Sequence, residues 1–456
     1  MEETWSSSVD AHLAWTPGGG RRELAKAVRA AIREGRWRPG AVVPSTRALA
    51  HDLGVARGTV TRVYADLAAE GYLHTSQGAP TRVATAGTEP LAAPGPAGRG
   101  ERRWRWTMMP GRPDPGLFPR TAWLAATRRV LQHTANSSFD YGDPRGSVVL
   151  RNTLAAYLAR SRGVRVDPAR VVISSGYGQG LVAVCAALRQ LGIAETAFED
   201  PSVNRFHELA ESAGQRVVGV PVDGDGLVVE RLASPSVVVT AAHQSPTGVT
   251  LAPRRRTALV RTGAVIVEDD YDGEFRYDRH QVGALQALAP ERVVYGGSAS
   301  KTLSPSLRLG WLVLPRSLVD PVVAALTHTG GPPPTINQLA LADLISSGGY
   351  DRHVRRCRTE YRSRRDRLVA ALPPGLPPPG IPAGLHLLLS LSPATEAMVP
   401  AIARRHSLEL ATVSPHRFDP DGPSGIVIGY AASTRPAFGG ALDALLAVLD
   451  DLPWDR

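Results

Sequence analysis

Between Ala84 and Pro119 the chain carries Pro90, Pro94, Pro96, Pro110, Pro113 and Pro115 among Ala, Gly and Arg. That composition resists a packed core and reads as an extended linker over 85–119. It separates a short part dense in helical patterning, 1–84, from a long part, 120–456. In the long part, apolar runs of strand character alternate with helix-like stretches. The runs are Val171–Ser174, Val217–Val220, Val237–Thr240, Ala264–Val267 and Val293–Tyr295. Such alternation predicts an α/β domain with a mostly parallel sheet. No fixed-period repeat is present.

No apolar run approaches the ~18–20 residues a membrane-spanning helix needs. Glu2 and Glu3 stand where a secretory signal would be basic. Two cysteines, Cys185 and Cys357, are too few for a disulfide framework and read as buried free thiols. A cytoplasmic protein without a membrane partner is expected.

In the N-terminal part, Leu24, Val28, Ala31 and Ile32 share one helical face, and Gly35 with Pro39-Gly40 ends that helix. Ser45 caps a second helix, Thr46 to Leu53, which Gly54 stops. A third begins near Ala56, places Val60, Val63, Tyr64 and Leu67 at helical spacing, and ends at Gly71. The spacing predicts a helix-turn-helix. Tyr72–Thr75 and Thr81–Ala84, flanking Ser76-Gln77-Gly78, then read as a two-stranded wing. From Arg21 to Arg62, ten basic residues against three acidic ones leave +7, most of the chain's formal +10. A solvated basic face would need no partner. Phosphate neutralisation, with Arg and Thr at the start of the third helix entering the major groove, uses the same charge for binding double-stranded DNA.

Three stretches carry a resemblance: Val43-Pro44-Ser45-Thr46-Arg47-Ala48-Leu49-Ala50, Leu53-Gly54-Val55-Ala56-Arg57-Gly58-Thr59-Val60, and Glu70-Gly71-Tyr72-Leu73. With Tyr64 and Leu67 they resemble the winged-helix DNA-binding domain of the GntR family over residues 20–84. The resemblance implies that Arg47, Arg57 and Thr59 touch operator DNA and that Gly78 of the wing approaches the groove. Arg62 is a further expected DNA contact, to phosphate. Ala56 stands where the family has a Ser cap.

Of 52 basic residues only Lys26 and Lys301 are lysines. A GC-rich coding bias explains most of that skew. A surviving lysine is then a candidate for chemistry Arg cannot supply, because Lys can deprotonate to an amine nucleophile. Lys301 lies in Gly296-Gly297-Ser298-Ala299-Ser300-Lys301-Thr302, followed by Arg308. A P-loop fails here, since Ser300 occupies a required glycine position. An amine framed by hydroxyls, with an Arg seven residues on, suits an aldehyde cofactor bearing a phosphate: a Schiff base forms at Lys301, while hydroxyls and guanidinium hold the phosphate.

Upstream, Ala264–Val267 runs into Glu268-Asp269-Asp270-Tyr271-Asp272, where α/β sheets place ligands. A carboxylate there can face a pyridinium nitrogen and a Tyr can bond a phenolic oxygen. An acidic cluster can also bind a metal, but no converging ligand set accompanies it. Ser174-Ser175-Gly176-Tyr177-Gly178-Gln179 precedes an apolar helix and offers its amides to a phosphate.

Together with Tyr141-Gly142-Asp143-Pro144-Arg145-Gly146 and His243-Gln244-Ser245-Pro246-Thr247-Gly248, these segments resemble fold-type I pyridoxal 5′-phosphate (PLP) enzymes over roughly 107–452. The fusion to a GntR domain resembles the MocR/GabR family of transcription regulators. The implied fold is multidomain: an α+β winged helix-turn-helix, then an α/β fold-type I domain with a small C-terminal α+β subdomain from about 345 to 456. The implied cofactor is PLP. Lys301 carries it, Asp269 pairs with its pyridine nitrogen, and Tyr271 bonds its phenolic oxygen. Ser175, Gly176, Tyr177, Gly178, Ser245, Ser298, Ser300 and Arg308 complete the cofactor set, and no metal is implied. A homodimer is implied as well.

Three departures weigh on function. Val203 stands where an aromatic residue stacks on the ring, and Ser245 where aminotransferases have Asn. Val427 replaces the Arg that clamps a substrate carboxylate. The leading reading is therefore a regulator sensing PLP or an amine. The alternatives are an active PLP-dependent aminotransferase with an appended DNA-binding domain, and an inert PLP-binding scaffold.

Overall fold

The computed structural model describes residues 13, 15, 18–76, 79–85, 104–277, 282–373 and 380–453. Gly78, expected at the wing tip, lies outside the described residues. The chain forms two units, one up to Arg103 and one from Trp104 onward.

In the first unit α1 (Gly20–Arg33), α2 (Thr46–Leu53) and α3 (Arg57–Ala69) precede an antiparallel pair, β1 (Leu73–His74) and β2 (Arg82–Val83). Ser45 Oγ accepts from the Ala48 N–H and caps α2, and Gly54 in the left-handed region ends it at φ 64°. At the start of α3, Ala56 offers no side-chain cap, as its methyl dictates. Leu24, Val28, Leu49, Val60, Val63 and Leu67 are fully buried around Trp37. Each such aliphatic side chain contributes roughly 1.5–3 kcal/mol through burial, so the apolar periodicity is what holds three short helices together.

The second unit opens with β3 (Trp106–Thr107), α4 (Arg120–His133), α5 (Val148–Arg162), β4 (Val171–Ser174) and α6 (Tyr177–Gln190). There follow β5 (Glu195–Asp200), α7 (Asn204–Ser212), β6 (Arg216–Asp223), β7 (Gly226–Leu227) and β8 (Ser236–Val239). Next come β9 (Val265–Asp269), β10 (Val293–Ser298) and β11 (Gly310–Val313). These build one eight-stranded sheet in the order β4-β11-β10-β9-β8-β5-β6-β7. Strands β10, β9, β8, β5 and β6 run parallel, while β11 and β7 pair antiparallel with their neighbours. Every residue of β4, β8, β10 and β11 is buried, as expected of strands covered on both faces.

C-terminally, β12 (Leu387–Ser390), β13 (Leu408–Glu409), β14 (Ala411–Thr412) and β15 (Gly425–Ile428) complete the strands. The order β12-β15-β14 makes a small antiparallel sheet, and β13 pairs with β3.

That last pairing corrects the C-terminal end of the expected linker. Residues 104–119 belong to the second unit. The Trp106 N–H donates to Ser407 O and the Met108 N–H to Glu409 O, and Met108 is fully buried. Asp114 receives Arg364 Nη2 at 2.6 Å, with both side chains 1% exposed. The segment is extended and Pro-rich, so it lacks the periodicity that marks a helix or strand, yet its backbone and one carboxylate are tied down.

Among the described residues no helix is long and apolar enough to cross a membrane. Both cysteines are free and buried.

Candidate DNA-binding surface and cofactor site

On the first unit the basic residues differ in their partners. Arg21, Lys26, Arg29 and Arg36 face carboxylates, with Arg29 gripping Glu70 through two bonds of 2.8 and 2.6 Å. Arg47, Arg57 and Arg62 are exposed on α2 and α3, and no carboxylate pairs with them among the described residues. Arg57 Nε reaches only Thr46 Oγ1, at 3.4 Å, which joins the starts of the two helices. Thr59 sits half-buried in the first turn of α3. Arg22 and Arg38 are also exposed without a carboxylate partner among the described residues, so the cations of α2 and α3 are part of a wider basic surface that includes the face a groove-inserting helix presents.

In the second unit, a cavity of about 590 Å³ opens at the carboxyl ends of β4, β5, β9 and β10, where an α/β sheet collects ligand-binding loops. It brings together Gly176, Tyr177, Gly178, Ser245, Asp269, Tyr271, Ser298, Ser300, Lys301 and Arg308. Ser175 does not line it; the Ser175 N–H donates to Gln179 Oε1 instead, at 2.6 Å, and shapes the turn from outside.

One part of the cavity has donors suited to a phosphate. Gly176 at φ 94° leads into the 14-residue α6, whose first amides and dipole favour an anion. Gly310 is required beside it, since a Cβ there would lie 2.8 Å from the Gly176 backbone. Ser298 Oγ donates to Ser300 Oγ at 2.8 Å and accepts from the Ser300 N–H at 3.0 Å. Arg308, left-handed at φ 53°, directs its guanidinium toward Gly176.

Elsewhere Asp269, buried at the end of β9, accepts no side-chain hydrogen bond among the described residues. Burial pushes its carboxyl well above the usual carboxylate range, and the charge of Lys301 opposes the shift. Burial lowers the Lys301 ammonium, opposed by Asp269 and Asp272. Lys301 Nζ donates to Gly111 O at 2.6 Å. Tyr271 donates its hydroxyl to His243 O at 3.1 Å, and His243 Nδ1 lies 2.9 Å from Asp272 Oδ2. A buried carboxylate lacking a donor, a lysine prone to lose its proton, and a Gly-rich helix start with two hydroxyls and an Arg fit the pyridine nitrogen, aldehyde and phosphate of PLP. No group of three or more His, Cys, Asp or Glu side chains among the described residues is arranged to hold a metal.

Several polar or close-approach residues of the cavity wall lie outside the set expected from sequence, Gly111, Glu199, His386 and Arg205 among them. Gly111 was assigned to the linker. Glu199 accepts from Thr240 N, Thr240 Oγ1 and Gln244 Nε2, and burial raises it to about 7. His386 and Arg205 also line the cavity. Only Glu199, at the end of an apolar run, had a detectable signal.

A winged helix with unpaired arginines on α2 and α3, joined to an aminotransferase-type sheet, defines a DNA-binding regulator built on an aminotransferase domain. Residues 21–83 match the model of bacterial regulatory proteins of the gntR family, and 113–432 that of class I and II aminotransferases. The rhizopine catabolism regulatory protein MocR of Rhizobium meliloti (a probable assignment) is 32% identical, over 95% of this chain and 96% of its own. The pyridoxine biosynthesis transcriptional regulator PdxR of Corynebacterium glutamicum is 30% identical, over 90% and 91%. TauR of Rhodobacter capsulatus is 35% identical, over 78% and 81%. An archaeal alanine:glyoxylate aminotransferase superposes with a TM-score of 0.69 at 23% identity, covering 76% of this chain and 90% of that one; at that identity the likeness is one of fold. The chain belongs to the MocR-type family of helix-turn-helix transcriptional regulators, which couple a GntR domain to a class I and II aminotransferase domain.

Proposed function

We propose that this regulator holds PLP at Lys301, binds double-stranded operator DNA through α2 and α3, and changes its DNA affinity in response to PLP or to a primary amine. It acts as a homodimer in the cytoplasm. The observation that carries this reading is the placement of Lys301 and Asp269 in one cavity with a phosphate-suited turn, on the same chain as exposed arginines on α2 and α3 that no carboxylate pairs among the described residues.

When bound, PLP supplies an electrophilic carbonyl carbon and an electron-accepting ring. Lys301 provides the attaching amine, whose lowered proton affinity raises the neutral fraction. Asp269 would receive the pyridine N–H, and the Tyr271 hydroxyl, which donates to the His243 carbonyl here, would serve the phenolic oxygen. Ser298, Ser300, Arg308 and the amides opening α6 would hold the phosphate. Val427 and Val203 supply neither a carboxylate clamp nor an aromatic stack, which supports sensing over turnover.

The test is Lys301→Ala. It should lose borohydride-reducible PLP while retaining operator binding. A variant that still carries reducible PLP would overturn the assignment, because no other lysine lies in the second unit.

A further inference from the structure

Ser300 and Lys301 line the cavity, whereas Thr302, the next residue, is buried outside that lining. There it meets the long helix Gly349–Ala371, and two side chains of that helix hold it. The Tyr350 hydroxyl donates to Thr302 Oγ1 at 2.8 Å, and His353 Nε2 lies 2.6 Å from the Thr302 carbonyl oxygen. Burial lowers the His353 imidazole and keeps it neutral, so the nitrogen that faces the carbonyl carries the proton and donates. Both side chains are buried, and the Tyr350 ring is set by an edge contact with Tyr157, centroids 5.3 Å apart at 87°.

The same buried face of the helix continues through Cys357, Tyr361 and Arg364. Farther along it, the Tyr361 hydroxyl accepts from the Asp114 N–H at 3.1 Å, and Arg364 holds the Asp114 carboxylate. Asp114 stands three residues after Gly111, whose carbonyl receives Lys301 Nζ. One helix therefore fixes the chain on both sides of this lysine: its backbone, through Thr302, and the segment that its amine reaches. An aliphatic residue at 302 would fill the core equally well. A buried hydroxyl and carbonyl that are both bonded also set a direction, because a hydrogen bond weakens steeply away from its preferred angle and length.

We propose that Tyr350 and His353 are positioning residues for cofactor attachment: acting through Thr302, they aim the Lys301 side chain at the aldehyde carbon of PLP. In that attachment the neutral amine bonds the aldehyde carbon, and its two protons leave with the aldehyde oxygen as water. The reacting atoms must meet within a narrow range of distance and angle, so a lysine loop free to shift loses rate without losing the amine. Neither residue lines the cavity, and the proton affinity of Lys301 follows from burial, Asp269 and Asp272 instead. This inference rests on Lys301 holding PLP.

The experiment adds PLP to the full chain freed of cofactor. It follows borohydride-trapped incorporation by mass spectrometry over a pH series, with the folded fraction of each variant taken from its melting curve. Tyr350→Phe and His353→Leu should each slow incorporation per folded molecule by roughly three- to tenfold, the worth of one hydrogen bond. The pH midpoint of the rate should stay at the parent's value, since the environment of the amine is untouched. His353→Gln keeps an N–H donor and should recover most of the parent's rate. Parent-like rates in both Tyr350→Phe and His353→Leu, a slowing fully explained by the unfolded fraction, or a shifted midpoint would overturn the inference. If His353→Leu does not fold, Tyr350→Phe decides alone, because it removes a single hydroxyl. Failure of the parent itself to incorporate PLP would instead bring down the cofactor assignment, and this inference with it.

Discussion

Lys301 Nζ donates to the carbonyl of Gly111 across 2.6 Å, which ties this lysine to the chain a few residues after the second unit begins at Trp104. Between Trp104 and Gly111 the backbone pairs with β13 through β3, buries Met108 and lines the cavity with Met109, Pro110 and Gly111. The cavity wall and the linker end are therefore separated by only a few residues of chain.

Gly111 adopts φ +70°, and a Cβ there would lie 3.3 Å from Lys301 Nζ. Gly111→Ala should cost about 1 kcal/mol in backbone strain and slow covalent loading of PLP. Thermal unfolding of the second unit, together with the rate of borohydride-trapped incorporation followed by mass spectrometry, reads both effects. Unchanged loading would remove Gly111 from the lysine's surroundings.

The Asp114–Arg364 pair fastens the same segment to the long helix Gly349–Ala371. Asp114→Ala leaves the buried Arg364 guanidinium with Glu360 Oε1 and the Ser433 carbonyl but one hydrogen-bonded carboxylate fewer, and should cost roughly 1–3 kcal/mol. Denaturant unfolding of the second unit measures it. A loss near zero would return residues 104–119 to the linker.

Glu199 gives the protein a pH signature. Its folded-state value, about 7, lies above the ordinary 4.5. Its contribution to stability is thus complete below about 4.5 and is lost as pH rises through about 7. Glu199→Gln removes that loss. Without ligand, the variant should match the parent in acid and exceed it above pH about 7, by up to roughly 3 kcal/mol. Parallel melting curves across the whole range would show that the buried carboxyl keeps its ordinary affinity for protons.

On the first unit, Arg57→Ala should weaken operator binding by about 1–3 kcal/mol and relax discrimination between sequences. Arg62→Ala, if it meets only phosphate, should weaken all sequences alike and flatten the salt dependence. Gel shifts over a salt series separate the two effects; unchanged affinity for Arg57→Ala would take that residue off the interface.

Much of this site was legible because its chemistry is local in sequence. Ser298, Ser300, Lys301 and Arg308 fall within eleven residues, and Asp269 ends an apolar run that has to be a strand. The helices of the first unit follow from apolar periodicity, Ser45 and Gly54. What escaped depends on distant pairing. β11 sits antiparallel inside the parallel sheet, a placement fixed by contacts with β10 and β4 rather than by its own residues. The role of residues 104–119 depends on Ser407, Glu409 and Arg364, some 250 to 300 positions away. His386 is a histidine among leucines, and only the fold shows that it stands buried at the cavity wall beside His243.

The central claim is that cofactor occupancy and DNA affinity are coupled in one molecule. Thermodynamic linkage makes the coupling reciprocal: if PLP changes operator affinity by some factor, operator must change PLP affinity by the same factor. The direct measurement titrates PLP by fluorescence with and without operator DNA, and operator with and without PLP. The account predicts that both curves move by one common factor, roughly 5- to 150-fold. If neither curve moves, PLP is no signal to the DNA-binding unit, and the claimed coupling of cofactor occupancy to DNA affinity is contradicted.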